Sequence, residues 1–121
     1  GDLSAFLSGK LTGDTHTRAP FADGRKYSGQ PVIVSEYGGI ALRADEKGDW
    51  GYGNAAKDAA ELLARMRELT QAIVSVGGCQ GYCYTQFTDV MQEKNGLVTE
   101  DRRPKADLKE IRKINSLVRE I

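Results

Sequence analysis

Histidine, cysteine and proline are scarce in this 121-residue chain, with one His, two Cys and three Pro. Long apolar runs are missing altogether. Each shortage removes a class of explanation. A structural zinc site takes four Cys or His donors, and one His with a single pair of cysteines leaves no such set. Cys79 and Cys83, if they lie on one strand, stand roughly 13 Å apart at about 3.3 Å per residue. A disulfide needs Cα atoms within about 7 Å, so the two should not bridge each other. They read as buried free thiols, which leans towards a reducing compartment such as the cytoplasm. No apolar stretch reaches the roughly 18 residues needed to span a bilayer, and no signal-peptide pattern opens the chain. There is no initiating Met either. The chain begins Gly1-Asp2-Leu3-Ser4 and reads as the middle of something, so a missing signal pattern says little about compartment. Charge of one sign is also lacking: 17 basic and 17 acidic side chains balance. Bulk electrostatics therefore points to neither a nucleic acid nor an anionic membrane as partner.

What is present is enough apolar residue, 40% of the chain, for a core in one domain of ordinary size. The most informative stretch is 31–39, Pro-Val-Ile-Val-Ser-Glu-Tyr-Gly-Gly. Val32, Ile33 and Val34 predict a strand over about 31–36, buried on both faces. Glu36 stands where that run stops, and Gly38-Gly39 allows a sharp turn straight after it. A charge at the carboxyl end of a buried strand is costly unless paired or functional, and in α/β folds ligands bind at that end. Glu36 thus reads either as a chemical carboxylate or as a structural acid paired with a loop Arg.

The flanking segments have distinct patterns. Over 1–30, Leu3, Phe6, Leu7 and Leu11 suit one short helical turn before a Gly-, Thr- and Asp-rich loop containing His16, to which no role is assigned. An irregular segment, 40–54, carries Trp50-Gly51-Tyr52-Gly53. A helix is then predicted over about 55–76, with Leu62, Leu63, Met66, Leu69, Ile73 and Val76 as its apolar stripe. Asn54 is its expected N-cap, and Gly77-Gly78 its end. A second strand is expected over about 79–87, with Cys79, Gly81, Cys83, Thr85 and Phe87 on one face and Gln80, Tyr82, Tyr84 and Gln86 on the other. The charged loop at 89–105 is expected to be mostly solvated. Pro104 opens a last helix over about 104–121, striped by Leu108, Ile111, Ile114, Leu117 and Ile121. Strand, helix, strand, helix implies two βα units with parallel neighbouring strands. Two parallel strands leave unpaired edges, so the chain reads as a slice of a larger α/β sheet or barrel, or as a unit that associates with copies of itself.

Gly51-Tyr-Gly53-Asn-Ala-Ala56 has the spacing of a dinucleotide fingerprint, but that mechanism needs a strand running directly into the first Gly, and residues 42–50 are polar. Nucleotide binding is therefore set aside. The same loop either offers its rings to a ligand or packs its own Trp and Tyr.

Taken together, three segments resemble glycoside hydrolase family 2, which includes β-galactosidases and β-glucuronidases. Residues 31–39 resemble the seventh strand of that family's catalytic (β/α)₈ barrel, with the nucleophile at its end. Residues 81–89, Gly-Tyr-Cys-Tyr-Thr-Gln-Phe-Thr-Asp, resemble the eighth. Asn95-Gly96-Leu97 and Asp101-Arg102-Arg103-Pro104-Lys105 resemble the loop and the start of the last helix. The resemblance runs from about Tyr27 to the end of the chain. It implies an α/β fold, the last two βα units of a (β/α)₈ TIM barrel, and retaining hydrolysis of a β-linked sugar. Glu36 would be the nucleophile, with Tyr37, Trp50, Tyr52, Thr85 and Asn95 around the substrate and no cofactor or metal. The family's acid/base Glu follows an Asn at the end of the fourth strand. This chain has no Asn-Glu pair, so by itself it is expected to be inactive. The implied partners are a carbohydrate substrate and the remainder of the barrel.

Two departures bear on the sugar. Glucuronidases of the family hold the uronate with an Asn-x-Lys pair where this chain has Glu93-Lys94-Asn95-Gly96, and an acid there repels a uronate. Many relatives place a Trp at the position of Thr85, and Trp50 or Tyr52 could supply the aromatic platform instead. The competing expectation is a non-catalytic carbohydrate-binding or self-assembling module that retains the motif.

Overall fold

The structure is a computed structural model that describes Ala5 and residues 21–42 and 54–117. Four elements follow one another: strand β1 (Val32–Gly38), helix α1 (Ala59–Ser75), strand β2 (Cys79–Thr85) and helix α2 (Leu108–Asn115). The two strands are parallel neighbours in a two-stranded sheet.

This architecture corrects the expectation of a TIM-barrel slice. A barrel wall requires strands paired on both sides around a closed circuit. Among the described residues each strand has one partner and the sheet is open. Nor is β1 buried on both faces. Its residues alternate between part-buried and exposed over the first half, and Ile33 is 62% exposed. A run of β-branched residues favours extended backbone because it fits a pleated surface, but it does not fix how many layers cover the strand.

The pairing is irregular in two places. Val32 pairs with Cys79 and Ile33 with Gly81; further on, Val34 pairs with Tyr82 and Tyr37 with Tyr84. In the second irregularity Ser35 and Glu36 lie opposite Cys83 alone, the two-against-one geometry of a β-bulge. Glu36 consequently lies within the strand, two residues before its end at Gly38, and is not its terminator.

Helix α1 starts at Ala59, capped by Asp58, whose carboxylate accepts from the Glu61 N–H at 2.8 Å. Asn54, the expected cap, instead lends its carbonyl to Arg65 at 2.5 Å. Leu62, Met66 and Thr70 form the helix's buried line, one turn apart. Thr70 takes the place predicted for Leu69, which is 40% exposed. A threonine can occupy that line because its hydroxyl is satisfied there: it donates to the Met66 carbonyl at 2.7 Å. Helix α2 is shorter than predicted. Asp107 caps it, accepting from the Lys109 N–H at 2.8 Å, so Pro104 falls in the preceding loop, bridged to Val98. Ile111 and Ile114 are buried, whereas Leu108 is 57% exposed; Ile121 lies outside the described residues.

Two apolar clusters join these elements. Met66, Leu97, Ile111 and Ile114 form one, flanked by Leu63, Tyr84, Ala106 and Leu117. Ile40, Ala56 and Leu62 form the other, flanked by Leu42 and again by Ala106. Burying a Leu, Ile or Met side chain contributes about 1.5–3 kcal/mol, so these clusters fix where the helices sit and, through Tyr84, which face of β2 they cover. Among the described residues no helix is long and apolar enough to cross a membrane.

Candidate functional site

The site is built where β1 and β2 end side by side. Gly39 donates its N–H to the Thr85 carbonyl at 2.6 Å, closing the sheet at that end. Gly38 and Gly39 both have positive φ, 97° and 63°, so the chain can leave β1 abruptly. Gly38 also lies flat against the Tyr84 ring, where an added Cβ would collide. The Thr85–Gln86 peptide, just beyond β2, is cis. Between these segments lies an open cavity of about 280 Å³ lined by Glu36, Tyr37, Gly38, Gly39 and Thr85. That is near the lower end of ligand-site volumes, about 300–1,000 Å³.

Glu36 is exposed and, among the described residues, its carboxylate makes no hydrogen bond or ion pair. Among the described residues no loop Arg pairs with Glu36; Arg18 and Arg43 lie outside them. Tyr37 reaches back to helix α1. Its ring stands edge-on to Tyr82 and Tyr84, with centroids 5.5 and 5.3 Å away, and its hydroxyl lies 2.8 Å from Thr70 Oγ1 on α1. Burial raises the Tyr37 phenol above its ordinary value of 10.0, against the opposing pull of the Thr70 hydrogen bond. Tyr84 is pushed up to about 12, again chiefly by burial. The Ile40 backbone opposes that shift, yet no hydrogen bond of normal geometry satisfies the Tyr84 hydroxyl.

Of the residues expected around a substrate, Glu36, Tyr37 and Thr85 come together at this cavity. Asn95 does not. It is outside the cavity lining, fully buried in the following loop, with its backbone carbonyl accepting from the Gln86 N–H at 3.4 Å and its Nδ2 donating to Glu93 Oε1 at 3.0 Å. Trp50 and Tyr52 lie outside the described residues. Cys79 and Cys83 are both free thiols, part-buried and exposed respectively, so Cys83 departs from the expectation of a buried pair. Among the described residues no group of three or more His, Cys, Asp or Glu side chains is placed to hold a metal.

Two features of the site were not anticipated from sequence. The first is Thr70, which is not part of the predicted apolar stripe; its signal lies in its spacing, one turn beyond Met66 on the buried line of α1. The second is the loop after β2, expected to be largely solvated. Asp89 and Lys105 are buried within it and paired at 2.6 Å. Asp89 Oδ1 also accepts from the Gly96 N–H at 2.9 Å, and Lys105 Nζ donates to the Lys94 carbonyl at 2.8 Å. Backbone bonds Leu97 N–H to Gln86 O and Val98 N–H to Phe87 O, at 3.1 and 3.0 Å, tie the loop back to the segment leaving β2. The wall beside Thr85 is thereby held.

No protein-family model and no curated protein matches this chain.

Proposed function

We propose that this chain supplies the nucleophilic carboxylate, Glu36, for retaining hydrolysis of a β-glycoside, as in the glycoside hydrolase family 2 enzymes it resembles in sequence. The observation that carries this reading is an accessible carboxylate, unpaired among the described residues, beside an open cavity at the end of two paired parallel strands. In the glycosylation step a Glu36 carboxylate oxygen attacks the anomeric carbon, the bond to the leaving oxygen breaks, and an acid donates the proton that oxygen needs. Water, activated by the same second group, then cleaves the glycosyl ester and regenerates Glu36. Retention requires a second carboxyl group about 5–5.5 Å away. The described cavity lining holds one carboxylate, so the acid/base group comes from outside it.

An activated 2-deoxy-2-fluoro-β-glycosyl fluoride of a neutral sugar tests this directly. Fluoride leaves without protonation, so the ester to Glu36 forms whether or not the acid is present. Intact and peptide mass spectrometry should place one adduct on the Glu36 peptide, and Glu36→Gln should take up none. An adduct on a different carboxylate, or no adduct at saturating reagent, refutes the proposal.

A second reading is a non-catalytic sugar-binding or self-assembling module. It draws support from that solitary carboxylate and from apolar side chains left open to solvent, among them Ile33, Phe87, Val90 and Met91. It expects sugar binding by calorimetry with no adduct, and a sedimentation coefficient that rises with concentration.

A further inference from the structure

We propose that Tyr37 is the positioning residue for Glu36: through its hydroxyl bond to Thr70 it fixes the direction in which the neighbouring carboxylate meets the cavity. Only the chemical consequence of this depends on reading Glu36 as a nucleophile; the positioning itself stands on geometry.

The direction of the bond follows from counting hydrogens. A threonine hydroxyl has one hydrogen and two lone pairs. Thr70 spends its hydrogen on the Met66 carbonyl, which can only accept. The 2.8 Å contact between the two hydroxyls must therefore be Tyr37 O–H donating to Thr70 Oγ1. The result is a one-way chain from Tyr37 through Thr70 to the backbone of α1, of the kind in which each bond polarises the next. Burial holds the phenol in its neutral, donating form.

This chain matters because of where it grips the strand. Ser35 and Glu36 form the bulge, and a bulged residue takes its direction from the paired residues on either side of it. On one side is Val34, paired with Tyr82; on the other is Tyr37, paired with Tyr84. Beyond Tyr37 come Gly38 and Gly39, which have no side chains with which to hold anything. Tyr37 is thus the last side-chain anchor after the bulge. Its ring is fixed edge-on by two tyrosines, and its hydroxyl by α1. Released from Thr70, the segment 35–37 can swivel, and Glu36 swivels with it. Misplacing a reacting group by about 1 Å can cost on the order of 100-fold in rate.

The test uses the full chain and four variants: Tyr37→Phe, which keeps the ring and removes the donor; Thr70→Val, which removes the acceptor; the double variant; and Thr70→Ser, which restores the hydroxyl. Retained amide NMR dispersion confirms that each is folded. Three-bond couplings about Glu36 χ1 report its orientation without any chemistry. The expected result is one dominant rotamer in the unaltered chain and in Thr70→Ser, and averaged couplings in Tyr37→Phe and Thr70→Val. In fluoroglycosyl labelling, the maximal inactivation rate should fall about ten-fold in each single variant while the half-saturating concentration stays within about two-fold. The double variant should fall no further, because both changes remove one bond. Averaged couplings already present in the unaltered chain, or couplings unchanged in Tyr37→Phe, would overturn the proposal. If the unaltered chain takes no label, the nucleophile reading has failed, and the couplings alone decide whether Tyr37 positions Glu36.

Discussion

Lys105 Nζ donates to Asp89 Oδ1 at 2.6 Å, with their side chains only 7% and 5% exposed. Sixteen residues separate the partners in sequence, and the loop between them is the one that walls the site beyond Thr85. Two charges out of water are tolerable only when each is also otherwise hydrogen-bonded, and here the Gly96 N–H and the Lys94 carbonyl complete the set.

Breaking this pair leaves a buried charge without a counterpart. Lys105→Met and Asp89→Ala should each destabilise the chain by about 3–5 kcal/mol, measured by urea unfolding. The exposed Arg103–Asp101 pair, 78% and 71% open, is the internal control. Asp101→Ala should change stability by less than about 1 kcal/mol. Equal effects at the two pairs would contradict the burial argument.

Tyr84 offers a pH-dependent signature. Its folded-state value of about 12 lies above the ordinary 10.0, and that of Tyr37 moves in the same direction. A group raised on folding gives up its proton more readily in the unfolded chain. The associated stability is therefore fully present below pH 10 and is lost as pH climbs from about 10 towards 12. Unfolding free energies measured across that window should decline, and the decline should be shallower in Tyr84→Phe.

The same substitution has an effect at neutral pH. The Tyr84 hydroxyl is buried and unsatisfied, and leaving a polar group so costs about 1–3 kcal/mol. Tyr84→Phe removes the hydroxyl and keeps the ring that packs on Met66, Leu97, Ile111 and Ile114. At pH 7 it should raise stability by about 1 kcal/mol, read as a higher urea midpoint at unchanged slope.

Gly38 tests the turn at the mouth of the cavity. It combines a φ of 97° with a Cα pressed against the Tyr84 ring. Gly38→Ala meets both the left-handed backbone penalty and a collision, and should destabilise by about 2 kcal/mol or more. Thermal unfolding measures it, and Ala at part-buried Gly81, where an added Cβ meets nothing, serves as the comparison.

How far the sequence disclosed this structure depends on the kind of signal. Extended backbone at Val32-Ile33-Val34 and a helix around Leu62 and Met66 were legible because local preference and periodicity both belong to the residues themselves. The number of layers over β1 was not, since β-branched residues suit a half-covered strand as well as a buried one, and Ile33 is exposed. Thr70 is invisible to an apolar periodicity because it is polar, although its hydroxyl is satisfied from both sides. Pro104 was placed at the start of a helix, a position it fits; Asp107 fits better, with a carboxylate to cap the free N–H groups. The Asp89–Lys105 pair could not be read at all, because nothing local distinguishes two buried loop charges from the solvated ones beside them. At the site, Glu36 was legible as a strand-end residue and Thr85 through the family resemblance, and the two share a cavity; Asn95 is not in its lining but is buried next to it, its backbone carbonyl accepting from the Gln86 N–H.

The parallel pairing of β1 with β2 also sets the order of events when the chain first folds. Parallel strands cannot be joined by a tight turn, so Val32 meets Cys79 only after everything between them, α1 included, has been gathered in. Closing that span costs entropy before a single strand bond forms. The backbone hydrogen bonds of helix α1 are local, whereas its packing against Leu97, Ile111 and Ile114 is not. The cavity beside Glu36 is bounded by both strand ends, so it exists only while the strands are paired.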